Sequence, residues 1–135
     1  MKFRFGFALA LVALVALSGT ILASTEHLTA TMHALGGSGQ SGTATISSPV
    51  GGKQTVTIDL SGEPKGASEP AHIHPGSCAK PNPVPKAALK PVVEGRSVTT
   101  IPALGSKAGA LAILVHKGMG ADMNSYASCG DVQGW

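Results

Sequence analysis

Beyond residue 26, apolar and polar positions alternate with a period of two over several short stretches. His27 to Leu35 (HLTATMHAL) sets Leu28, Ala30, Met32 and Ala34 on one side and Thr29, Thr31 and His33 on the other. Side chains at i and i+2 of a strand share a face, so this pattern predicts a half-buried β-strand. Thr43 to Ser47 predicts a second strand, and Gln54 to Leu60 (QTVTIDL) a third with Val56, Ile58 and Leu60 inward. Ala71–His74, Ser97–Ile101 and Tyr126–Val132 predict three more. Ala110 to His116 (ALAILVH) is the most hydrophobic of these stretches and reads as a central strand. Forcing Ala108–Leu114 into a helix is opposed by Gly109 and by the β-branched Ile113 and Val115 nearby. The intervening segments carry turn chemistry: GGSGQSG at 36–42, Pro49 with Gly51-Gly52, and a loop from Ser61 to Pro70. Residues 75–91 contain five prolines, and no regular element of any length is expected there, because proline cannot donate to a sheet ladder. Seven or so short strands separated by turns predict an all-β fold, an antiparallel sandwich or flattened barrel. They argue against βαβ units.

The first 23 residues have a different character. Lys2 and Arg4 precede an apolar run from Phe7 to Leu17, followed by small residues. The run is too short to span a bilayer as a helix, which takes about twenty residues, and it has the form of a secretory signal peptide. Cleavage after Ala23 is expected, with an uncleaved membrane anchor as the alternative. Residues 24–135 are enough for one domain and too few for two. The expected location is the periplasm or the exterior of the cell, without stable membrane insertion once the leader is removed.

Charge and composition narrow the partners. Two of the ten Lys/Arg residues fall in the leader, and the other eight are nearly balanced by seven Asp/Glu. No cationic run is present and aromatic residues make up only 4% of the chain, so nucleic acid is excluded as a partner. The core must be built from Ala, Val, Ile and Leu. The chain has two cysteines, Cys78 and Cys129. An even number in an exported protein points to a disulfide, whose loop of about fifty residues corresponds to about 4 kcal/mol in the chain-entropy model. Two free thiols acting as metal ligands are the alternative.

Histidine is scarce, with five copies, and two of them stand one residue apart in AHIHPGSC (71–78). On a strand His72 and His74 project to the same face and Ile73 to the other. Such a pair can clamp a transition-metal ion, or can line a wet strand face. His116 ends ALAILVH, where it either meets a partner such as a metal or caps the strand toward water. His72, His74 and His116 lie at two predicted strand ends, with a cysteine downstream of each end.

In order, HIH at 72–74, Cys78, Val115-His116 and ASCGDV at 127–132 resemble the copper/zinc superoxide dismutases, as does the approach LSGEPKGASEP to the histidine pair. The resemblance covers most of residues 24–135. It implies a superoxide dismutase-like Greek-key β-barrel of about eight antiparallel strands, copper ligation by His72, His74 and His116, and a Cys78–Cys129 disulfide, with Gly130 matching the glycine after the second cysteine. The departures shape the expectation equally. Residues 79–115 contain no histidine, so the family's fourth copper ligand and its zinc ligands are missing and no zinc site is expected. The arginine three residues before the last cysteine is replaced by Tyr126, and the loop after His116 is short. Asp122 does not match the spacing of the family's aspartate that supports the metal ligands and is not assigned.

The implied protein is an exported copper-binding domain, with dismutation of superoxide at a mononuclear copper as its activity. Three imidazoles can hold copper and leave an open position. Lys117 is the nearest cationic residue in sequence to His116. Met119 or Met123 as a soft ligand would favour Cu(I) and carriage of copper without turnover, although both also read as loop or core fillers. His33 is a further candidate fourth ligand, and His27 reads as a surface residue. No side chain is assigned a catalytic role beyond metal ligation. A metal-free interaction domain is the third reading.

Overall fold

The computed structural model describes residues 27–106 and 108–135; the predicted signal peptide, residues 1–23, lies outside them. Nine strands follow in order: β1 (Leu28–Ala34), β2 (Ser41–Ile46), β3 (Lys53–Ser61), β4 (Ser68–Ser77), β5 (Lys80–Pro81), β6 (Ala87–Val93), β7 (Arg96–Pro102), β8 (Leu111–His116) and β9 (Tyr126–Asp131). A short 3-10 turn, Gly120–Asn124, precedes β9. Around the sheet the order is β4-β6-β7-β3-β2-β1-β9-β8, and β8 pairs back onto β4, closing an eight-stranded antiparallel barrel. β5 is a two-residue flap on the end of β4. The connections β3 to β4 and β7 to β8 each pass over two intervening strands, which gives the barrel its Greek-key topology.

Alternation places the core as expected in β2, β3 and β8. Ala44, Ile46, Val56 and Ile58 are buried beneath exposed or half-buried threonines. In β1, Ala30 and Met32 are buried, but Leu28 is half-buried and Ala34 exposed where the strand enters and leaves the barrel. β8 is buried along its whole length. Leu111, Ile113 and Val115 fill the barrel with Met32, Ile58, Ile73 and Val92. Ala112 and Leu114 face outward but lie under Cys129, Leu35, Cys78 and Tyr126. A strand covered on both faces reads as a continuous apolar run, and each buried Leu, Ile or Val side chain in it contributes about 1.5–3 kcal/mol.

The proline-rich stretch departs from expectation: it contains β5 and all but the last two residues of β6. Pro91 fits within β6 because it sits at a bulge. Glu69 pairs with Val92 and Ala71 with Leu89, so Lys90 and Pro91 together oppose Pro70, and the ladder needs no N–H from Pro91. The Glu94-Gly95 turn, both residues at positive φ (51° and 78°), returns β6 into β7. The predicted loop 61–70 is also shorter than expected, since β3 runs to Ser61 and β4 starts at Ser68.

Candidate metal centre

His72 and His74 stand on the outer face of β4, opposite Leu114 and Ala112 of β8, while Ala71 and Ile73 point into the core. His116 is the last residue of β8. A register shift after Val115 pairs it with Tyr126, at the start of β9. The closure of β4 against β8 therefore brings together three imidazoles from positions up to 44 residues apart in the chain. One ring nitrogen from each lies within 4.8 Å of the others, and His72 Nδ1 is 3.1 Å from His116 Nε2.

Two loops fix which nitrogens face inward. His74 Nδ1–H donates to the carbonyl of Asn82 at 2.7 Å, and His116 Nδ1–H donates to the carbonyl of Met123 at 2.6 Å. A carbonyl only accepts, so in each neutral ring the proton sits on Nδ1 and the lone pair on Nε2. This is the outer-shell arrangement that orients metal-binding histidines. His116 Nε2 is then the acceptor of the close contact with His72 Nδ1. His74 Nε2 is buried and has no hydrogen-bond partner, an arrangement that costs about 1–3 kcal/mol unless something fills it. Burial lowers the His72 pKa below its ordinary value, and the neighbouring His116 and His74 lower it further. Burial also lowers that of His116, against the opposing effect of its bond to Met123, with His74 adding to the depression. Burial thus favours the neutral, ligand-competent form of His72 and His116, and with His74 the cluster offers three imidazole nitrogens, a set suited to copper, zinc, iron or nickel.

Both loops are tied down. Cys78 and Cys129 form a disulfide with Cα atoms 5.9 Å apart, and the Cys78 N–H donates to Asp131 Oδ1 at 2.7 Å. From this anchor the chain turns back so that Asn82 N–H reaches the carbonyl of Pro75 at 2.7 Å, which presents the Asn82 carbonyl to His74. After β8, Lys117 N–H bonds Ser125 at 2.8 Å and Ser125 N–H bonds Asp122 at 3.0 Å, closing the loop that carries Met123.

Solved structures share this architecture. Superoxide dismutase 5 of Candida albicans in its copper(II) form superposes with a TM-score of 0.54 at 19% identity, covering 81% of this chain and 92% of that one. An aspartate-to-asparagine mutant of the same protein gives 0.57 at 19% identity with the same coverage. A glutamate-to-alanine mutant gives 0.53 at 16%, covering 81% and 89%. The fold is superoxide dismutase-like. No family model matches the chain, and no curated protein matches it in sequence.

On this superoxide dismutase-like barrel the other sequence candidates scatter. His33, on β1 opposite Cys129, lines a cleft with the disulfide and Asp131 and is not part of the three-histidine cluster. His27 is exposed ahead of β1. Met119 is 74% exposed. Met123 is half-buried, and its carbonyl holds His116. The Lys117 ammonium, considered as a cationic guide, is bound to the Gly36 carbonyl at 2.8 Å. Tyr126 packs its ring against His116, with centroids 5.1 Å apart and planes tilted by 59°. The carbonyls of Asn82 and Met123 were invisible in the sequence, because any residue type supplies a backbone carbonyl. Tyr126 carried a signal, its position three residues before Cys129.

Proposed function

We propose that this chain is an exported copper-binding protein in which His72, His74 and His116 hold one copper ion. The observation that carries this reading is the convergence of one ring nitrogen from each of the three histidines within 4.8 Å, beside a His74 Nε2 that is buried without a hydrogen-bond partner. The likeness to a copper(II) superoxide dismutase structure supports copper over the other metals such donors accept. When bound, copper supplies one-electron chemistry by alternating between Cu(II) and Cu(I). The chain's own contribution is preorganisation. The Asn82 and Met123 carbonyls hold two imidazoles in the tautomer that presents Nε2, and burial keeps His72 and His116 neutral and ready to ligate. Dismutation of superoxide at this mononuclear site is the activity the fold suggests. Export follows from residues 1–23 read as a signal peptide, and the disulfide is consistent with an oxidising compartment.

Carriage of copper without turnover is the second reading. It is favoured by Tyr126 against His116 and by the capture of the Lys117 ammonium on Gly36, so that neither of these two positions offers the cation that attracts superoxide in the family the chain resembles. Chelator competition with Cu(II) and Cu(I) on residues 24–135, alongside a superoxide assay, tests both. The copper reading requires stoichiometric binding that falls at least tenfold in His72→Ala and in His116→Ala. Binding unchanged by both substitutions sinks it. Superoxide consumption no faster than that of free copper selects carriage, and fast consumption lost in His74→Ala selects dismutation.

A further inference from the structure

The barrel end formed by the loops before β2, after β3 and between β6 and β7 is sealed by polar side chains. Gln40 and Glu69 are each only 2% exposed. Gln40 Nε2–H donates to Glu69 Oε1 at 2.8 Å. Three further oxygens here are buried without a partner: Gln40 Oε1, Glu69 Oε2 and Glu63 Oε1. The other oxygen of Glu63 accepts the Gly95 N–H. The loops leave little slack, since a Cβ on Gly62 would lie 2.5 Å from the Gly39 carbonyl and one on Gly95 2.3 Å from that of Leu60. An ionised Glu69 and the Gln40 amide oxygen would be acceptors only, so one amide group would face more buried acceptors than it has donors to satisfy.

We propose that Glu69 is held as an uncharged carboxylic acid whose Oε2–H donates to the amide oxygen of Gln40, making the pair a proton-dependent latch on this end of the barrel. One proton turns one orphaned acceptor into a donor and satisfies the other. It also removes an unpaired buried charge. The charged groups that act on Glu69 are Glu63, from the loop after β3, and Lys117, from the segment after β8. The loop before β2 contributes the neutral Gln40 to the pair. Burial is the main force raising the Glu69 pKa, Glu63 adds to it, and the Gln40 bond and Lys117 oppose it. The native state therefore retains a proton that the unfolded chain loses near the ordinary glutamate value of about 4.3. Stability contributed by the latch is complete below that pH and declines as pH rises through the folded value. This device operates without any metal, so its failure would leave the copper reading standing.

The test is a carbon-13 NMR titration of the Glu69 carboxyl in the metal-free protein, joined to denaturation of wild type and Glu69→Gln at pH 4 and pH 8. The expected result is titration above the range of an exposed glutamate, with Glu69→Gln unfolding at higher denaturant than wild type at pH 8 and the gap closing at pH 4. Titration at or below 4.3, or a Glu69→Gln variant weaker than wild type at pH 8, overturns the proposal. So does a rise in wild-type melting temperature with millimolar calcium that Glu69→Gln lacks, because the orphaned oxygens would then hold a cation.

Discussion

Removing the disulfide with Cys78→Ala/Cys129→Ala should cost this domain much of its stability. The two cysteines are 51 residues apart, and the chain-entropy relation for a loop of that length gives about 4 kcal/mol at 25 °C. Cys129 is 1% exposed and packs on Ala112 and Leu114, so loss of its sulfur adds roughly 1 kcal/mol of packing. A total of about 5 kcal/mol compares with the 5–15 kcal/mol that holds a typical domain together. The variant should sit at the margin of folding at 25 °C, with a melting temperature lower by about 20 °C or more. Urea denaturation of the oxidised protein, the reduced protein and the double variant reads this directly; the reduced protein, which keeps both sulfurs, should be roughly 1 kcal/mol more stable than the double variant. The same variant should bind metal more weakly, because Cys78 anchors the loop whose Asn82 carbonyl orients His74. A stability loss under about 1.5 kcal/mol would mean instead that the other bonds of this loop hold it unaided.

Three further outcomes follow from particular contacts. In Gly130→Ala a Cβ would lie 2.7 Å from Met32 Sδ and 2.7 Å from the Thr31 carbonyl, so overpacking should lower stability by about 1–3 kcal/mol in urea denaturation. Gln54, on β3, is 6% exposed and ties down the segments that follow β2 and β7, with Nε2–H donating to the Ser47 carbonyl at 2.9 Å and Oε1 accepting from the Leu104 N–H at 2.8 Å; Gln54→Leu should cost about 2–4 kcal/mol by stranding both backbone groups. Because the folded pKa values of His72 and His116 are lowered, the unfolded chain binds more protons than the native one just below the ordinary value of about 6.5. Stability of the metal-free protein should therefore be complete above that pH and fall as pH drops toward the folded values, with a shallower slope in His72→Asn.

Much of the fold was legible from the chain and some was not, for physical reasons. Alternation in QTVTIDL and the unbroken run ALAILVH identified two barrel strands, because burial on one face or on both leaves different patterns. The i, i+2 spacing of His72 and His74 is enough by itself to put both rings on one face of a strand. The three histidines meet because β8 pairs with β4, a long-range contact that no local pattern encodes; there the likeness to a known family supplied what periodicity lacked. β6 was missed because Pro91 reads as a strand breaker unless the bulge opposite Pro70 is known. The polar cap of Gln40 and Glu69 was missed because a glutamate in a segment rich in Gly, Pro and Ser reads as solvated. Backbone carbonyls that orient imidazoles leave no mark on the sequence.

Copper binding by this barrel rests on three imidazoles converging on one metal ion. Electron paramagnetic resonance of residues 24–135 loaded with one equivalent of Cu(II) tests it most directly. A single copper species is expected, with hyperfine coupling to several imidazole nitrogens, altered in His72→Ala, His74→Ala and His116→Ala alike. A signal of free copper, or a bound signal that none of the three substitutions changes, would contradict it.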